Sequence, residues 1–323
     1  MSFTFLSNPE FLSQGSALKD LLQPWSVLIG NTEISTGIDP APAALRALYE
    51  PWVSKDRILT MNAASSELVK IANNAMEAQR ISSINSLSAI CEVVGADVQD
   101  ISRACGLNPR IGPHCLQAGV GFGGSCFEKD ILGLVGLAET MSLPLVANYW
   151  RQVLLLNEFQ ISRVAAQICQ LGSLSVGRKV AILGFAFKKD TGDARGSIAR
   201  DVILALFRNN IMVVLHDGLV PKQDIMRELG FQQDSLKSST FPEEAFRIYD
   251  TPYEMCKGVE VVVIMNDAQE YEELDWARIS AGMIGNKVIV DNRRTMDATK
   301  MKHFGFIVRQ IGASNWLNGR EAI

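Results

Sequence analysis

Four compact runs in the second half of the chain constrain the fold most: KVAILGF (179–185), IMVVLHD (211–217), VEVVVIMND (259–267) and KVIVDNR (287–293). Each is a nearly continuous stretch of β-branched and aliphatic residues, and helical stretches such as Ser197 to Asn209 separate them. A strand without polar alternation is buried on both faces, and strands that alternate with helices pair in parallel, with the helices laid over both faces. Residues 173–323 therefore read as an α/β domain, a doubly wound, Rossmann-like parallel sheet.

Ahead of it the pattern is helical. From Ser65 to Val94 the apolar residues Leu68, Ile71, Ala75, Ala78, Ile81, Leu87 and Ile90 recur at near-helical spacing, and a second long helix is expected from Pro144 to Leu171. The second helix has apolar residues on more than one face, which fits a buried spine or a dimer seam. These two helices define a central, dimerising domain over 61–172, closed by a Gly-Ser stretch at 172–177. Residues 1–60 are expected to hold short strands at 3–7 (FTFLS) and 26–29 (SVLI) and a helix from Asp39 to Trp52.

Composition excludes several classes. With 47% apolar and 20% charged residues and a net charge of −4, there is no basic footprint and no nucleic-acid partner is expected. The six cysteines show neither CxxC nor ligand-like spacing, which argues against a disulfide framework and a metal site. No run approaches the roughly 18 apolar residues of a membrane span, and the N-terminus lacks a cationic segment followed by an apolar core. A cytoplasmic protein with no membrane partner is the expectation.

Chemistry concentrates in GVGFGGSCFEKD, where four glycines fall between Gly119 and Gly124. Ser125 to Glu128 matches the S-x-x-E capping box and places Cys126 in the first turn of a helix, where free N–H groups and the helix dipole favour a thiolate. Lys129 adds to that effect, and the glycines let another group approach the backbone closely. A small apolar residue under a turn is the alternative for such a cysteine. On the first long helix Lys70 and Asn74 share a face, with Glu77 and Ile81 beyond them; the row is either a set of oxyanion or water ligands or a solvated stripe. Glu10 follows a strand in SNPEF, where Pro9 fixes the chain. His114, His216 and His303 sit in separate contexts, and none reads as a catalytic base. The first strand of the sheet ends in GFAFKKD, and no GxGxxG fingerprint follows any strand.

The stretches FLSNPEFLSQGSALKDL, SSELVKIANNAMEAQRISSINSLSAICE, NPRIG, GVGFGGSCFEKD, VANYW and ILGFAFKKDTGDAR resemble the UDP-glucose 6-dehydrogenases, within the UDP-glucose/GDP-mannose dehydrogenase group, over nearly the whole chain. The resemblance implies that Cys126 is a nucleophile carrying C6 of the sugar as a thiohemiacetal and then a thioester. It implies that Lys70 and Asn74 stabilise the oxyanion, that Asp130 assists through a water, and that Glu10 helps activate the hydrolytic water. It further implies sugar-nucleotide contacts from Phe11, Leu12, Arg110 (reaching into a neighbouring subunit), Leu116, Phe122, Gly123, Phe187, Lys188 and Arg293, an NAD diphosphate contact from Arg195, and a homodimer.

Members of that family begin with an NAD-binding domain of roughly 100–150 residues, and this chain starts where that domain ends. Other departures are Gln14 in place of a second glutamate, Cys115 and Gln117 in place of an aromatic and a lysine, Met265-Asn266-Asp267 for a Thr-Glu-Trp type stretch, and Gly218 for a proline. Glu77 stands where an apolar residue is usual. Loss of a lysine beside a diphosphate removes a contact of about 1.5–3 kcal/mol. From these departures we expect no cofactor, and a former UDP-sugar cleft holding another small molecule for a cofactor-independent isomerisation, elimination or cyclisation. The expected catalytic set is Cys126, Lys70, Asn74, Asp130, Glu10 and Glu77, and Gln14, Ile81, Gln117 and Phe127 join the contact residues. The alternatives are a UDP-sugar-binding pseudoenzyme or regulatory partner of a full-length dehydrogenase, and a truncated UDP-glucose 6-dehydrogenase.

Overall fold

The computed structural model describes residues 4–31, 40–171, 178–231 and 245–314; the stretch at 172–177, Phe3 and Asp39 lie outside them. The chain divides into two compact units, one of residues 1–76 with 130–147 and the other of 77–129 with 148–323.

In the first unit β1 (Leu6–Ser7) and α1 (Ala17–Leu22) precede β2 (Val27–Asn31), α2 (Pro40–Tyr49) and β3 (Ile58–Asn62). β1 pairs antiparallel with β2, and β2 pairs parallel with β3 across the crossover made by α2. Val27, Ile29, Val53 and Ile58 form the core, with Leu6, Leu45 and Tyr49 packed against it. The strand expected over FTFLS is paired only at Leu6–Ser7. β3 escaped the sequence reading because only Ile58 of its five residues is buried, so it has no alternating pattern. A Cβ on Gly30 would lie 2.5 Å from the Ser66 Cβ and 2.9 Å from the Ala63 Cα, and this bare backbone lets β2 meet the start of α3 (Ala63–Val94).

α3 has 32 residues, roughly 48 Å at 1.5 Å per residue, and contributes its first turns to the first unit and the rest to the second. α4 (Val98–Leu107) follows, its first turn capped by the Asp97 side chain. α5 (Ser125–Thr140) and α6 (Pro144–Cys169) complete the long helices. No helix among the described residues is long and apolar enough to cross a membrane.

The rest of the second unit alternates strand and helix: β4 (Lys179–Leu183), α7 (Ile198–Arg208), β5 (Met212–His216), α8 (Lys222–Glu228), β6 (Phe246–Ile248), α9 (Pro252–Met255), β7 (Val261–Ile264), α10 (Gln269–Glu272), α11 (Trp276–Gly282), β8 (Val288–Asp291), α12 (Ala298–His303) and β9 (Ile307–Gln310). All six strands are parallel, in the order β6-β5-β4-β7-β8-β9. Counted within the sheet this is 3-2-1-4-5-6, the order of a Rossmann sheet, and it bears out the doubly wound parallel sheet expected from the apolar runs. Both faces are filled, and successive residues alternate between them. Val180, Ile182, Val261 and Val263 pack with Val202, Ile203 and Leu206 of α7 and with Ile84, Val164 and Ile168 of the long helices. Ala181, Leu183, Val262 and Ile264 pack with Met255, Trp276, Ile279 and Met301 on the other side. Each such aliphatic burial contributes about 1.5–3 kcal/mol.

Candidate functional site

In the first unit the Asn8–Leu12 loop is tied to α3. Lys70 Nζ donates to the Glu10 backbone carbonyl and reaches the Glu10 carboxylate at 3.2 Å, while the other carboxylate oxygen accepts the Leu12 N–H at 2.6 Å. Lys70 also lies 5.3 Å from the centre of the Phe11 ring. The Lys70–Glu10 pair is largely solvated, so it stabilises by no more than about 1 kcal/mol and mainly fixes where the two groups point. One turn along α3, Asn74 Nδ2 donates to the buried Asp130 carboxylate at 2.6 Å. The spacing of four that put Lys70 and Asn74 on one face thus sets two polar pairs side by side. A cavity of about 160 Å³ opens beside Glu10, with Phe11, Asp20, Trp25, Ser26 and Tyr49 among its walls. Gln14 is exposed in the turn before α1.

In the second unit the glycine-rich segment is wedged so tightly that each glycine has its own reason. A Cβ would lie 3.1 Å from the Asn292 carbonyl at Gly119, 2.7 Å from Asn157 Oδ1 at Gly121, 2.4 Å from the Gly196 carbonyl at Gly123 and 2.9 Å from the Phe187 ring at Gly124. Gly121 and Gly124 also have φ of +135° and +87°, where glycine is favoured. Three buried amides hold the segment from below. Asn85 accepts the Gly119 N–H at 2.8 Å, Gln160 donates to the Gly119 carbonyl at 2.6 Å, and Asn157 both accepts from and donates to the Phe122 backbone at 2.9 Å. Gly124 N–H donates to the Gly196 carbonyl at 2.9 Å. α5 begins directly after this loop, and Cys126 stands exposed in its first turn, as the S-x-x-E pattern predicts. Phe127 packs edge-on against Phe122, with ring centres 5.5 Å apart.

Around the loop lie most of the remaining expected contacts. Phe187 covers Gly124, and Lys188 lies 5.6 Å from the Phe187 ring centre. Arg293 comes within 3.2 Å of a Cβ placed on Gly119; Gln117 donates to the Arg293 carbonyl at 2.9 Å, and the Arg293 Nε–H donates to Met265 at 3.1 Å. Desolvation lowers the Arg293 pKa from its usual range, against the neighbouring Asp267 charge, which acts to raise it. Arg195 is clamped on Asp193, which raises its pKa, and Cys126 is close enough to act in the same direction. Leu116 is buried, its carbonyl accepting from Ser102 at 2.6 Å, and Arg110 is exposed. Burial raises the Cys115 pKa, with Glu77 adding to the rise, so Glu77 is an electrostatic neighbour of Cys115. Ile81 is half-buried on α3. No group of three or more His, Cys, Asp or Glu among the described residues could hold a metal ion.

A sheet of this order admits a dinucleotide at the crevice between β4 and β7, outside the carboxyl ends of the strands. Asp217 accepts the N–H groups of Phe185 and Ala186 at 2.7 and 3.0 Å and those of Leu219 and Val220 at 2.8 Å. A Cβ on Gly184 would lie 2.6 Å from the Asn266 side chain. The Phe185 and Ala186 N–H groups after β4 are thus already engaged by a carboxylate.

Residues 64–159 match the UDP-glucose/GDP-mannose dehydrogenase family, central domain, and residues 181–298 match the same family's UDP binding domain. The chain is 45% identical over 313 residues to the UDP-glucose 6-dehydrogenase of Gallus gallus, which covers 95% of this chain and 62% of that protein. It is 42% identical over 334 residues to UDP-glucose 6-dehydrogenase 1 of Oryza sativa subsp. japonica, covering 100% of this chain and 69% of the relative. The structure of a UDP-glucose dehydrogenase from Pyrobaculum islandicum superposes with a TM-score of 0.77 at 31% identity, covering 97% of this chain and 64% of that one. The chain thus spans a little under to a little over two thirds of these relatives' lengths. The expectation of a cofactor-free protein is corrected here. These relatives are dehydrogenases, enzymes whose chemistry requires a hydride acceptor, and none is named as an isomerase, lyase or cyclase. By sequence and fold, the chain belongs to the UDP-glucose/GDP-mannose dehydrogenase family.

Proposed function

We propose that this chain supplies the sugar-nucleotide-binding and thiol-bearing parts of a UDP-sugar 6-dehydrogenase. A hydride acceptor, when bound, would supply the oxidation, and the steps assigned here to this chain's own residues are those that need no acceptor. The Cys126 sulfur adds to the C6 aldehyde, forming the S–C6 bond as the carbonyl π pair moves to oxygen and a proton follows. Lys70 and Asn74 donate to the oxygen that gains charge. Glu10, held by Lys70 and the Leu12 N–H, and Asp130, held by Asn74, orient the water that later hydrolyses the thioester. In the second unit Arg293 and Lys188 offer positive charge to the diphosphate, with Leu116, Phe122, Gly123 and Phe187 as contact residues, and in the first unit the contact residues are Phe11 and Leu12.

The observation that carries this reading is the 2.6 Å hydrogen bond from Asn74 to buried Asp130, which lies one helical turn beyond Cys126 on α5. A homodimer is part of the proposal, supported by the exposed apolar residues Leu87, Ile90 and Val94 of α3 and Tyr149, Leu156 and Phe159 of α6. Six free cysteines support a reducing compartment such as the cytoplasm. Calorimetry tests the reading: UDP-glucose should bind the chain, and Arg293→Ala should weaken it tenfold or more. Mass spectrometry after exposure to a UDP-sugar 6-aldehyde should find the adduct on Cys126 and none in Cys126→Ser. No binding heat at millimolar UDP-glucose would overturn it.

A further inference from the structure

The glycine loop is fastened by a buried polar chain to which the proposed function assigns no part. Glu92, on α3, is 4% exposed; one of its oxygens accepts the Gly312 N–H at 2.8 Å, and the other accepts from Gln167 at 2.9 Å and from Arg163. Arg163, on α6, turns its Nε and Nη2 groups onto Gln160 Oε1 at 3.2 and 2.9 Å. Gln160, 1% exposed, then donates from Nε2 to the Gly119 carbonyl at 2.6 Å.

Donor and acceptor logic makes this chain directional. A guanidinium has no acceptor, so whatever faces Arg163 must be an oxygen, and the Gln160 amide is thereby turned with its NH₂ toward the loop. Glu92, together with the Ser88 hydroxyl that accepts from Nη2 at 3.2 Å, holds Arg163 in this orientation. Stability alone does not explain the arrangement, because a buried ion pair is commonly no better for the fold than apolar side chains of equal volume. What the ionic arrangement adds is a fixed hydrogen-bond direction at Gly119, two residues from Gly121 and at the head of the loop that leads into Cys126.

We propose that Glu92, Arg163 and Gln160 are positioning residues that set the Gly119–Gly124 loop and, through it, the first turn of α5 that presents Cys126. The inference rests on the reading of Cys126 as the reacting thiol. Its test reads that thiol without any ligand: iodoacetamide alkylation of the full chain at pH 7, followed cysteine by cysteine by peptide mass spectrometry, with Cys105 as internal reference. The loop holds Cys126 exposed at the start of α5, so loosening the loop lets the sulfur turn away from the reagent and slows the reaction. Gln160→Glu, which fills the same volume but cannot donate to Gly119, should slow Cys126 at least fivefold relative to Cys105. Arg163→Lys keeps the charge opposite Glu92 but loses the fork onto Gln160, and it should slow Cys126 in the same direction with little change in melting temperature. Rates within twofold of the unaltered chain in the folded variants would overturn the proposal, and Arg163→Lys decides alone if Gln160→Glu does not fold. Failure of the unaltered chain to bind UDP-glucose, with alkylation slowed as expected, would remove the sugar-nucleotide reading and leave the positioning intact.

Discussion

Replacing Gly123 with alanine puts a methyl carbon 2.4 Å from the Gly196 carbonyl oxygen and 3.1 Å from the Ile198 side chain. The first obstacle is backbone, so no rotamer change relieves it, and ordinary contact distance requires a movement of roughly 1 Å. Overpacking of that kind costs about 1–3 kcal/mol. The same movement strains the neighbouring Gly124 N–H to Gly196 carbonyl bond, worth about 0.5–1.5 kcal/mol. Gly123→Ala should therefore destabilise the second unit by about 2–4 kcal/mol. Gly133→Ala is the matched control: it lies inside α5, a Cβ there meets nothing within 4 Å, and it should stabilise by about 0.5–1 kcal/mol through helix propensity alone. Urea denaturation followed by far-ultraviolet circular dichroism measures both. The reasoning about loop packing is refuted if the two alanine variants shift the midpoint by the same amount, or if Gly123→Ala shifts it by less than the equivalent of about 0.5 kcal/mol.

Asp217→Asn should orphan some of the four backbone donors that the carboxylate satisfies, because an amide nitrogen cannot accept; a loss of about 2–3 kcal/mol in denaturant midpoint is expected, after allowance for partial exposure. Burial pushes the Cys256 thiol up to about 12, so its contribution to stability is fully present below its ordinary value of 9.0 and is lost as pH rises from there toward 12. Midpoints measured across that range should fall by up to about 4 kcal/mol from this group, at about 1.4 kcal/mol per pH unit, and Cys256→Ala should start lower but fall less. Gly312→Ala should behave as a site mutant at a distance. With φ at +71° and a Cβ 2.4 Å from Val98, it should lower the melting temperature and slow Cys126 alkylation together, and a change in one without the other would argue against the link.

How much was legible depended on whether a residue's environment is written into its neighbours. β4, β5, β7 and β8 were readable because both faces are buried and the runs stay apolar throughout. β3, the three-residue β6 and β9, whose Ile307 is exposed, carry too few buried positions for a pattern to emerge. Helical spacing placed Lys70 and Asn74 on one face of α3, and the structure gives each a polar partner there. The hydrogen bond from Asn74 to Asp130 joins residues far apart in sequence, and nothing local announces it. Asn85, Asn157 and Gln160 were missed for a similar reason: on a long helix an amide reads as solvated until a loop is laid across it. The available signal was indirect, since a segment with four glycines exposes backbone N–H and carbonyl groups that must find partners when buried. The inferred absence of a cofactor failed because it followed from which residues the chain contains rather than from the chemistry of its relatives.

The carboxylate of Glu92 accepts from Gly312, 220 residues further along the sequence. Changes around that glycine are therefore not local. Deleting it, or inserting a bulky reporter beside it, would tug on the far anchor of the thiol-bearing loop.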